Sequence, residues 1–267
     1  MTDWIGGTLD TLNVWRKSEG IPDGALERIV SGLKITGRNE ISRYAAPRDP
    51  TLFFPGLTAK AWWSPEEFDW SRKVSEALPD MVAELAMAGG VRTGQIQNQF
   101  TDGGNWSVLY LTCMGRKDEQ GAAAFPATWK ALSAVPGATT AGMTYFSAIE
   151  GGTHILPHTG FTNGHLRCHL TLASSDECRI RVGDETRTWD PGGLLIFDDT
   201  YEHEVWNDSA DKRLVLLFDI FHPELEKEET EALKIVFKCY RKHYMRSYWK
   251  TVLSPGDAGR QQVSAQT

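Results

Sequence analysis

From residue 105 onward the chain contains a series of short apolar runs, each rich in β-branched and aromatic side chains. Asn-Gly, Gly-Asp, Pro-Gly-Gly and Asn-Asp sequences, which are typical of turns, separate these runs. Strands at this spacing, without intervening helices, predict a β-sandwich or jelly roll. The predicted strands are 107–113, 145–149, 166–172, 178–182, 185–189, 194–198, 203–206 and 214–221.

The segments on either side of this region have helical spacing instead. Apolar side chains recur at the helical period over 25–33 and again from 74 to 87, where Gly89-Gly90 ends the pattern. The sequence Ser64-Pro65-Glu66-Glu67 is typical of a helix start. We therefore predict one domain over 1–267, with a helical support over 1–90 and a jelly-roll core over 91–225. A C-terminal helix (from residue 225, assigned to 226–253) and a disordered tail (254–267) complete it.

Composition excludes several classes of protein. The net charge is −7 and no basic cluster is present, which argues against a nucleic-acid partner. The sequence shows no secretory signal and no apolar stretch near the ~18 residues of a membrane span. The four cysteines form no CxxC pair, so we expect reduced thiols. These features predict a cytoplasmic protein without a membrane partner, and they leave its oligomeric state open.

The histidines suggest where the chemistry lies. Four of the seven fall between Gly151 and Leu170, and His203 follows His158 by 45 positions. A mononuclear non-haem iron site needs two neutral imidazoles that face one point, with other positions left open. In a jelly roll, a histidine in the loop entering one strand and a histidine on a later strand can converge at the mouth of the barrel. A structural role remains the alternative for each histidine alone.

Arg213 is a second candidate, because it begins an apolar predicted strand. Burial of a guanidinium is costly unless an anion meets it, and its planar fork suits a carboxylate. The alternative is a surface ion pair with Asp208 or Asp211.

Several motifs together resemble the oxygenase domain of the aspartyl/asparaginyl β-hydroxylase family. They are LPHTGFTN (156–163), LRCHL (166–170), IFDDTYEHEVWN (196–207), Arg213 and FHPEL (221–225). FFPGLTAKAWW (53–63) and GNWSVLYL (104–111) extend the resemblance to about residues 50–226. It implies a mainly β protein with a double-stranded β-helix, the cupin-like jelly roll, packed by N-terminal and C-terminal helices. It also implies an oxygenase that uses Fe(II), 2-oxoglutarate and O2.

The resemblance assigns roles to seven residues. His158 and His203 match the iron-binding histidines, and Asp199 matches an acid that holds water near the metal. The other four match residues around 2-oxoglutarate: Arg213 and Ser147 at its distal carboxylate, and Arg167 and His169 near its metal-bound end.

Two further positions bear on the third ligand and the substrate. Gly160 stands where most 2-oxoglutarate oxygenases have a ligating carboxylate, so water, or chloride as in iron halogenases, could fill that position. His165 stands where members acting on Asp or Asn have an arginine that grips the substrate carboxylate. We expect His165 to contact substrate or to lie, like His154, at a polar rim. An amino acid, a peptide or another small molecule is therefore the expected substrate.

The resemblance predicts hydroxylation of an unactivated C–H bond in an amino acid, a peptide or a small natural product, with succinate and CO2 as co-products. Halogenation or another oxidative tailoring reaction at the open ligand position is one alternative. A non-catalytic jelly-roll module that binds a ligand is another. A cupin-type isomerase is disfavoured because it would want more protein ligands and would not need Arg213.

Overall fold

Two antiparallel sheets form the centre of the protein and pack against each other. The computed structural model describes residues 3–93 and 95–244. The larger sheet has the order β1 (Trp62–Trp63), β11 (Leu194–Phe197), β8 (His165–Ala173), β13 (Arg213–Phe221), β6 (Thr144–Ile149), β4 (Trp106–Cys113) and β2 (Gln95–Ile96), and β5 (Arg116–Lys117) pairs with β4. The smaller sheet has the order β10 (Glu185–Thr188), β9 (Cys178–Val182), β12 (His203–Asn207), β7 (Thr153–His158) and β3 (Thr101–Asp102).

Helices cover the larger sheet and one end of the protein. They are α1 (Asp3–Ser18), α2 (Glu27–Gly37), α3 (Ile41–Ala45), α4 (Ser71–Glu76), α5 (Leu78–Met87), α6 (Glu119–Ala124), α7 (Pro126–Ser133) and α8 (Lys227–Tyr244). Apolar side chains of α4, α5 and α7 form one core with the larger sheet, and α1, α2 and α8 share a second core. No helix in the described ranges is long and apolar enough to cross a membrane.

Strand β8 shows how the two sheets and the helices divide the side chains. Successive strand residues point to opposite faces. Leu166, Cys168 and Leu170 face the helices and belong to the core that these form with the larger sheet. Arg167 and His169 point the other way, into the space between the two sheets. One face of the strand is therefore a conventional apolar core, and the other carries charged and polar groups to the interior.

The predicted fold class is confirmed. All eight predicted strands are present, with ends that differ by at most one residue. The strand β7 and the helices α6 and α7 were not predicted, and His158 ends β7 instead of lying in a loop. The helical pattern up to Met87 is divided into a short 3-10 turn, α4 and α5, because Pro79 lies in the first turn of α5 and has no N–H to continue the preceding helix.

Two other differences concern the ends of the core. Trp62 and Trp63 pair with Phe197 and Ile196, so the larger sheet begins well before residue 91. The C-terminal helix is described from Lys227 to Tyr244. The rest of the predicted helix and the predicted tail lie outside the described residues.

The core on the helix-facing side of β8 is expected to carry much of the stability. Leu170 is 0% exposed there. Leu170→Ala removes buried methyl groups and leaves a cavity, so we expect the free energy of unfolding to fall by about 2–5 kcal/mol in urea denaturation. Met87→Ala is the control, because Met87 is 89% exposed. A loss for Leu170→Ala as small as that of the control would contradict this description of the core.

Candidate active site

A cavity of about 60 Å³ lies between the two sheets and brings six of the predicted site residues together. Its walls include apolar side chains from both sheets, among them Ile155, Ile180 and Leu217. The polar residues that line it are Ser147, His158, Arg167, His169, His203 and Arg213.

His158 and His203 lie side by side because their strands are neighbours. His158 is the last residue of β7, His203 is the first of β12, and the two are directly paired in the antiparallel register. Their ring centroids are 4.1 Å apart. Two histidines that are 45 residues apart in the sequence therefore form one cross-strand pair.

The hydrogen bonds of these two rings fix their tautomers. Nδ1 of His158 lies 2.7 Å from the carbonyl oxygen of Leu156, and Nδ1 of His203 lies 3.0 Å from that of Tyr201. A carbonyl oxygen can only accept, so each Nδ1 carries the hydrogen and each Nε2 keeps a free lone pair. Metal-binding histidines commonly donate their other N–H in this way.

Both imidazoles are also held neutral. Burial lowers the pKa of His158. Burial, followed by the neighbouring His158, lowers the pKa of His203 to about 3. Two neutral rings with free Nε2 atoms fit a divalent metal ion well. In the described part of the chain, no group of three or more His, Cys, Asp or Glu side chains is arranged to hold a metal.

Arg213 is buried without a partner for part of its guanidinium. It is 2% exposed, and its Nε and Nη1 have no hydrogen-bond partner among the described residues. Burial lowers its pKa to about 10. The alternative of a surface ion pair is wrong, since the side chain is buried and Asp208 pairs with Arg179 at 2.6 Å. A buried guanidinium with free donors beside a cavity is suited to an anionic ligand.

Ser147 lies on the same wall as Arg213. It is 2% exposed, and its Oγ accepts a hydrogen bond from the indole Nε1 of Trp106 at 3.0 Å. Because the hydroxyl oxygen is already an acceptor, its own hydrogen is free to donate to a second group. Ser147 and Arg213 therefore both offer donors to the cavity.

Arg167 connects the cavity to two buried carboxylates behind it. Its Nη1 lies 2.8 Å from Oδ2 of Asp199, and its Nε lies 3.0 Å from Oδ1 of Asp219. Both aspartates are 0% exposed. Burial opposes the ionisation of Asp199, but Arg167 and His165 outweigh it and hold the pKa of Asp199 well below its usual range. Asp199 is therefore a carboxylate that stands behind the cavity wall.

Gly160 and Asp199 share one small space. A Cβ on Gly160 would lie 2.0 Å from Cγ of Asp199, and the Gly160 N–H donates to the Asp199 carbonyl oxygen at 2.6 Å. The carboxyl of Asp199 thus fills the room that any side chain at position 160 would need. A carboxylate side chain at position 160 and the Asp199 carboxyl could not both occupy this space.

His165 and His154 are not at the rim of the cavity, so that expectation is wrong for both. His165 is 2% exposed and does not line the cavity; its Nδ1 donates to the carbonyl of Ala141, and its Nε2 lies 3.5 Å from Asp199. His154 stacks on Trp206 with an interplanar angle of 8°. His165 shares the interior face of β8 with Arg167, whereas His154 lies on the face of β7 opposite to Ile155. A register irregularity between Ile155 and His158 places His158 on the cavity side with Ile155.

A family model for aspartyl/asparaginyl beta-hydroxylase matches residues 77–223. The chain belongs to the aspartyl/asparaginyl beta-hydroxylase family. It is 36% identical over 191 residues to the aspartyl/asparaginyl beta-hydroxylase of Homo sapiens, and the match covers 68% of this chain and 25% of the relative. It is also 36% identical over 167 residues to the ornithine lipid ester-linked acyl 2-hydroxylase of Rhizobium tropici, with 58% of each chain covered.

The chain spans about a quarter of the length of the first relative and about three-fifths of the length of the second. Among solved structures, a predicted oxalate decarboxylase from Thermotoga maritima aligns with 48% of this chain and 91% of its own. It is 12% identical, with a TM-score of 0.33. The family assignment depends on the sequence matches, and the fold on the strand pairing described above.

Three residues in or beside the cavity were not assigned to the site from the sequence. Trp106 lines the cavity and donates its indole N–H to Oγ of Ser147. Asp219 lies in the apolar strand β13, where an acid at 0% exposure needs a partner as much as Arg213 does. The argument applied to Arg213 would have found it. Nothing in the sequence alone marked Trp189, which contacts both His169 and Arg213.

The close approach at Gly160 can be tested by adding one methyl group. Gly160→Ala forces the Asp199 carboxyl to move, and we expect a loss of about 1–3 kcal/mol in the free energy of unfolding. Combination with Asp199→Ala is expected to be non-additive, because the smaller residue removes the clash. Gly6→Ala, which meets nothing within 4 Å, is the control. An equal cost of Gly160→Ala with and without the Asp199→Ala change would disprove the shared space.

His165 is expected to give the protein a distinct pH dependence. Burial disfavours the imidazolium, but Asp219 and Asp199 outweigh burial and raise the pKa of His165 to about 9. This value lies above the ordinary 6.5, so the stabilisation is complete below about pH 6.5 and is lost as the pH rises through about 9.

Urea denaturation between pH 6 and pH 10 measures this effect. The unfolding free energy of the wild type should fall by on the order of 3 kcal/mol more than that of His165→Gln over this range. Parallel pH profiles for the two proteins would show that His165 does not titrate in this way.

Proposed function

We propose that the protein is an Fe(II)- and 2-oxoglutarate-dependent dioxygenase that hydroxylates an unactivated C–H bond. The observation that carries this proposal is one cavity with two neutral imidazoles at one place and a buried arginine with free donors at another. Iron with 2-oxoglutarate and O2 supplies the oxidising chemistry when bound, with succinate and CO2 as co-products. The protein's own residues position these groups and exclude water from them.

His158 and His203 would hold the metal through their Nε2 atoms. Their Nδ1–H groups donate to carbonyl oxygens, so each ring already has the tautomer in which Nε2 can bind a metal. Gly160 would leave a coordination position open, and the neighbouring Asp199 carboxylate would accept a hydrogen bond from water there. The two relatives named above are a beta-hydroxylase and an acyl 2-hydroxylase. This supports hydroxylation over halogenation.

The remaining polar residues of the cavity would bind 2-oxoglutarate. Arg213 and Ser147 would take its distal carboxylate, since both have hydrogen-bond donors without a protein acceptor among the described residues. At the other end, Arg167 lines the cavity with two of its nitrogens committed to Asp219 and one to Asp199. The Nε2 of His169 is buried without a partner in the described ranges, which suits an acceptor oxygen of the ligand.

The substrate is proposed to be an amino acid, a peptide or a small natural product. His165 is bound into the buried ion cluster and does not line the cavity, so it offers no grip on a substrate carboxylate. The names of the two relatives refer to aspartyl and asparaginyl groups and to the acyl group of an ornithine lipid. A substrate screen for this protein should therefore include free amino acids, peptides and acylated amino acids.

The test is turnover of 2-oxoglutarate to succinate by the purified protein with Fe(II), ascorbate and O2. Oxygenases of this kind consume some co-substrate without their true substrate, so the wild type should form succinate slowly. His158→Ala removes a metal ligand and Arg213→Ala removes the carboxylate partner. Each is expected to reduce turnover by at least about 100-fold.

Matched variants separate site effects from general damage. His154→Ala removes a histidine from the same strand as His158 but from its outer face, and Arg179→Ala removes an exposed arginine. Both should keep the turnover of the wild type. If the folded wild type binds no Fe(II) and consumes no 2-oxoglutarate, the dioxygenase proposal fails and a ligand-binding module takes its place.

A further inference from the structure

Trp189 contacts two of the residues that line the cavity without lining it itself. It follows β10, at the point where the chain passes from the smaller sheet to the larger, and it is 2% exposed. Its indole Nε1 lies 3.4 Å from Nδ1 of His169. The guanidinium carbon of Arg213 lies 4.7 Å from the centre of its ring. One side chain therefore touches residues that belong to the two ends of the proposed co-substrate site.

The contact with His169 has the geometry of an in-plane hydrogen bond. The two rings are inclined by only 16°, and their centroids are 6.0 Å apart, so the rings meet at their edges. The indole N–H and the imidazole lone pair both lie in their ring planes, so they can point at each other. An indole nitrogen can only donate. Nδ1 of His169 must therefore be the acceptor.

This hydrogen bond determines where His169 carries its hydrogen. Burial, and next the positive charge of Arg213, lower the pKa of His169 well below its ordinary value, so the ring is neutral. A neutral imidazole has one N–H, and with Nδ1 accepting from Trp189 it must be on Nε2. Nε2 is buried and has no hydrogen-bond partner among the described residues. Trp189 thus makes His169 a donor at its free edge.

The contact with Arg213 works through the ring face of Trp189 and not through hydrogen bonds. A guanidinium over an aromatic face is attracted by the ring quadrupole, most strongly when water is excluded. This interaction uses none of the N–H groups of Arg213. Its Nε and Nη1 remain without partners in the part of the chain that the structure describes. Arg167 differs, because Asp199 and Asp219 occupy its nitrogens.

We propose that Trp189 is the positioning residue that prepares both ends of the cavity for a dicarboxylate. Its N–H fixes the donor tautomer of His169, and its ring face holds Arg213 with free donors. This inference rests on the proposed function, since 2-oxoglutarate is the dicarboxylate concerned. Only tryptophan combines a large ring face with an N–H, so neither phenylalanine nor leucine can replace it fully.

Two variants separate the two contacts. Trp189→Phe keeps a ring beside Arg213 and removes the donor to His169. Trp189→Leu removes both. We expect the Kd for 2-oxoglutarate, measured by anaerobic calorimetry with Fe(II)-loaded protein, to rise about 3- to 10-fold for Trp189→Phe. For Trp189→Leu we expect a rise of about 10- to 100-fold. Trp62→Phe is the control, because Trp62 is a buried tryptophan of the same core whose Nε1 has no hydrogen-bond partner among the described residues.

A double-mutant cycle and a direct view of the tautomer distinguish positioning from mere structural support. In a His169→Ala background, Trp189→Phe should no longer change the Kd, because the group through which it acts is gone. Nitrogen NMR of the histidines in the metal-free wild type should show His169 as the Nε2–H tautomer.

Two results would overturn the proposal. One is an Nδ1–H tautomer of His169 in the wild type. The other is a Trp189→Phe effect on the Kd that is equally large with and without His169. If the folded wild type binds no 2-oxoglutarate at all, the proposed function fails first, and the tautomer measurement still reports on the Trp189 contact.

Discussion

The arrangement of the interior depends on the pairing of one buried cation, Arg167, with two buried carboxylates. A charge removed from water must be compensated at close range, and Asp199 and Asp219 provide two negative charges against one positive charge. His165, whose imidazole lies near both, supplies the second positive charge and makes the group of four neutral. The cluster joins β8 to β13 and to the turn after β11. It also places His165 behind the cavity wall and not at its rim.

The opposite end of the cavity has the reverse electrostatic character. Arg213 has no carboxylate to balance it within the described chain, and its pKa is lowered by burial. His158, His203 and His169 are neutral, so Arg213 is the uncompensated charge among the described residues of the cavity walls. The cavity therefore has one end whose charges cancel and one end with a net positive charge. An anion bound at the second end would neutralise that charge. In the proposed function, this difference in charge would orient 2-oxoglutarate in the cavity.

The strands, the fold class and six residues of the cavity could be predicted from the sequence. The errors concern residues whose role depends on the direction in which the side chain points. Alternating and apolar runs located eight strands, because burial of a sheet face leaves that pattern in the residues. β7 was missed, since Pro157 and the exposed Leu156 break the pattern. His165 was expected to contact substrate or to lie at the rim, but it is bound into the buried ion cluster. A resemblance transfers a position in the chain and not the contacts around it. Trp189 was missed because its role depends on two partners distant in sequence.

The two histidines of the proposed metal site take their orientation from backbone carbonyls two residues earlier in the chain. The hydrogen bond that orients each ring therefore comes from the backbone. Substitutions in the walls of the cavity can therefore accumulate while the ligand geometry stays the same. In the proposed function, a scaffold of this kind would separate the residues that hold the metal from the residues that contact the substrate. Substrate preference is then free to diverge during evolution at little cost to the reactive centre.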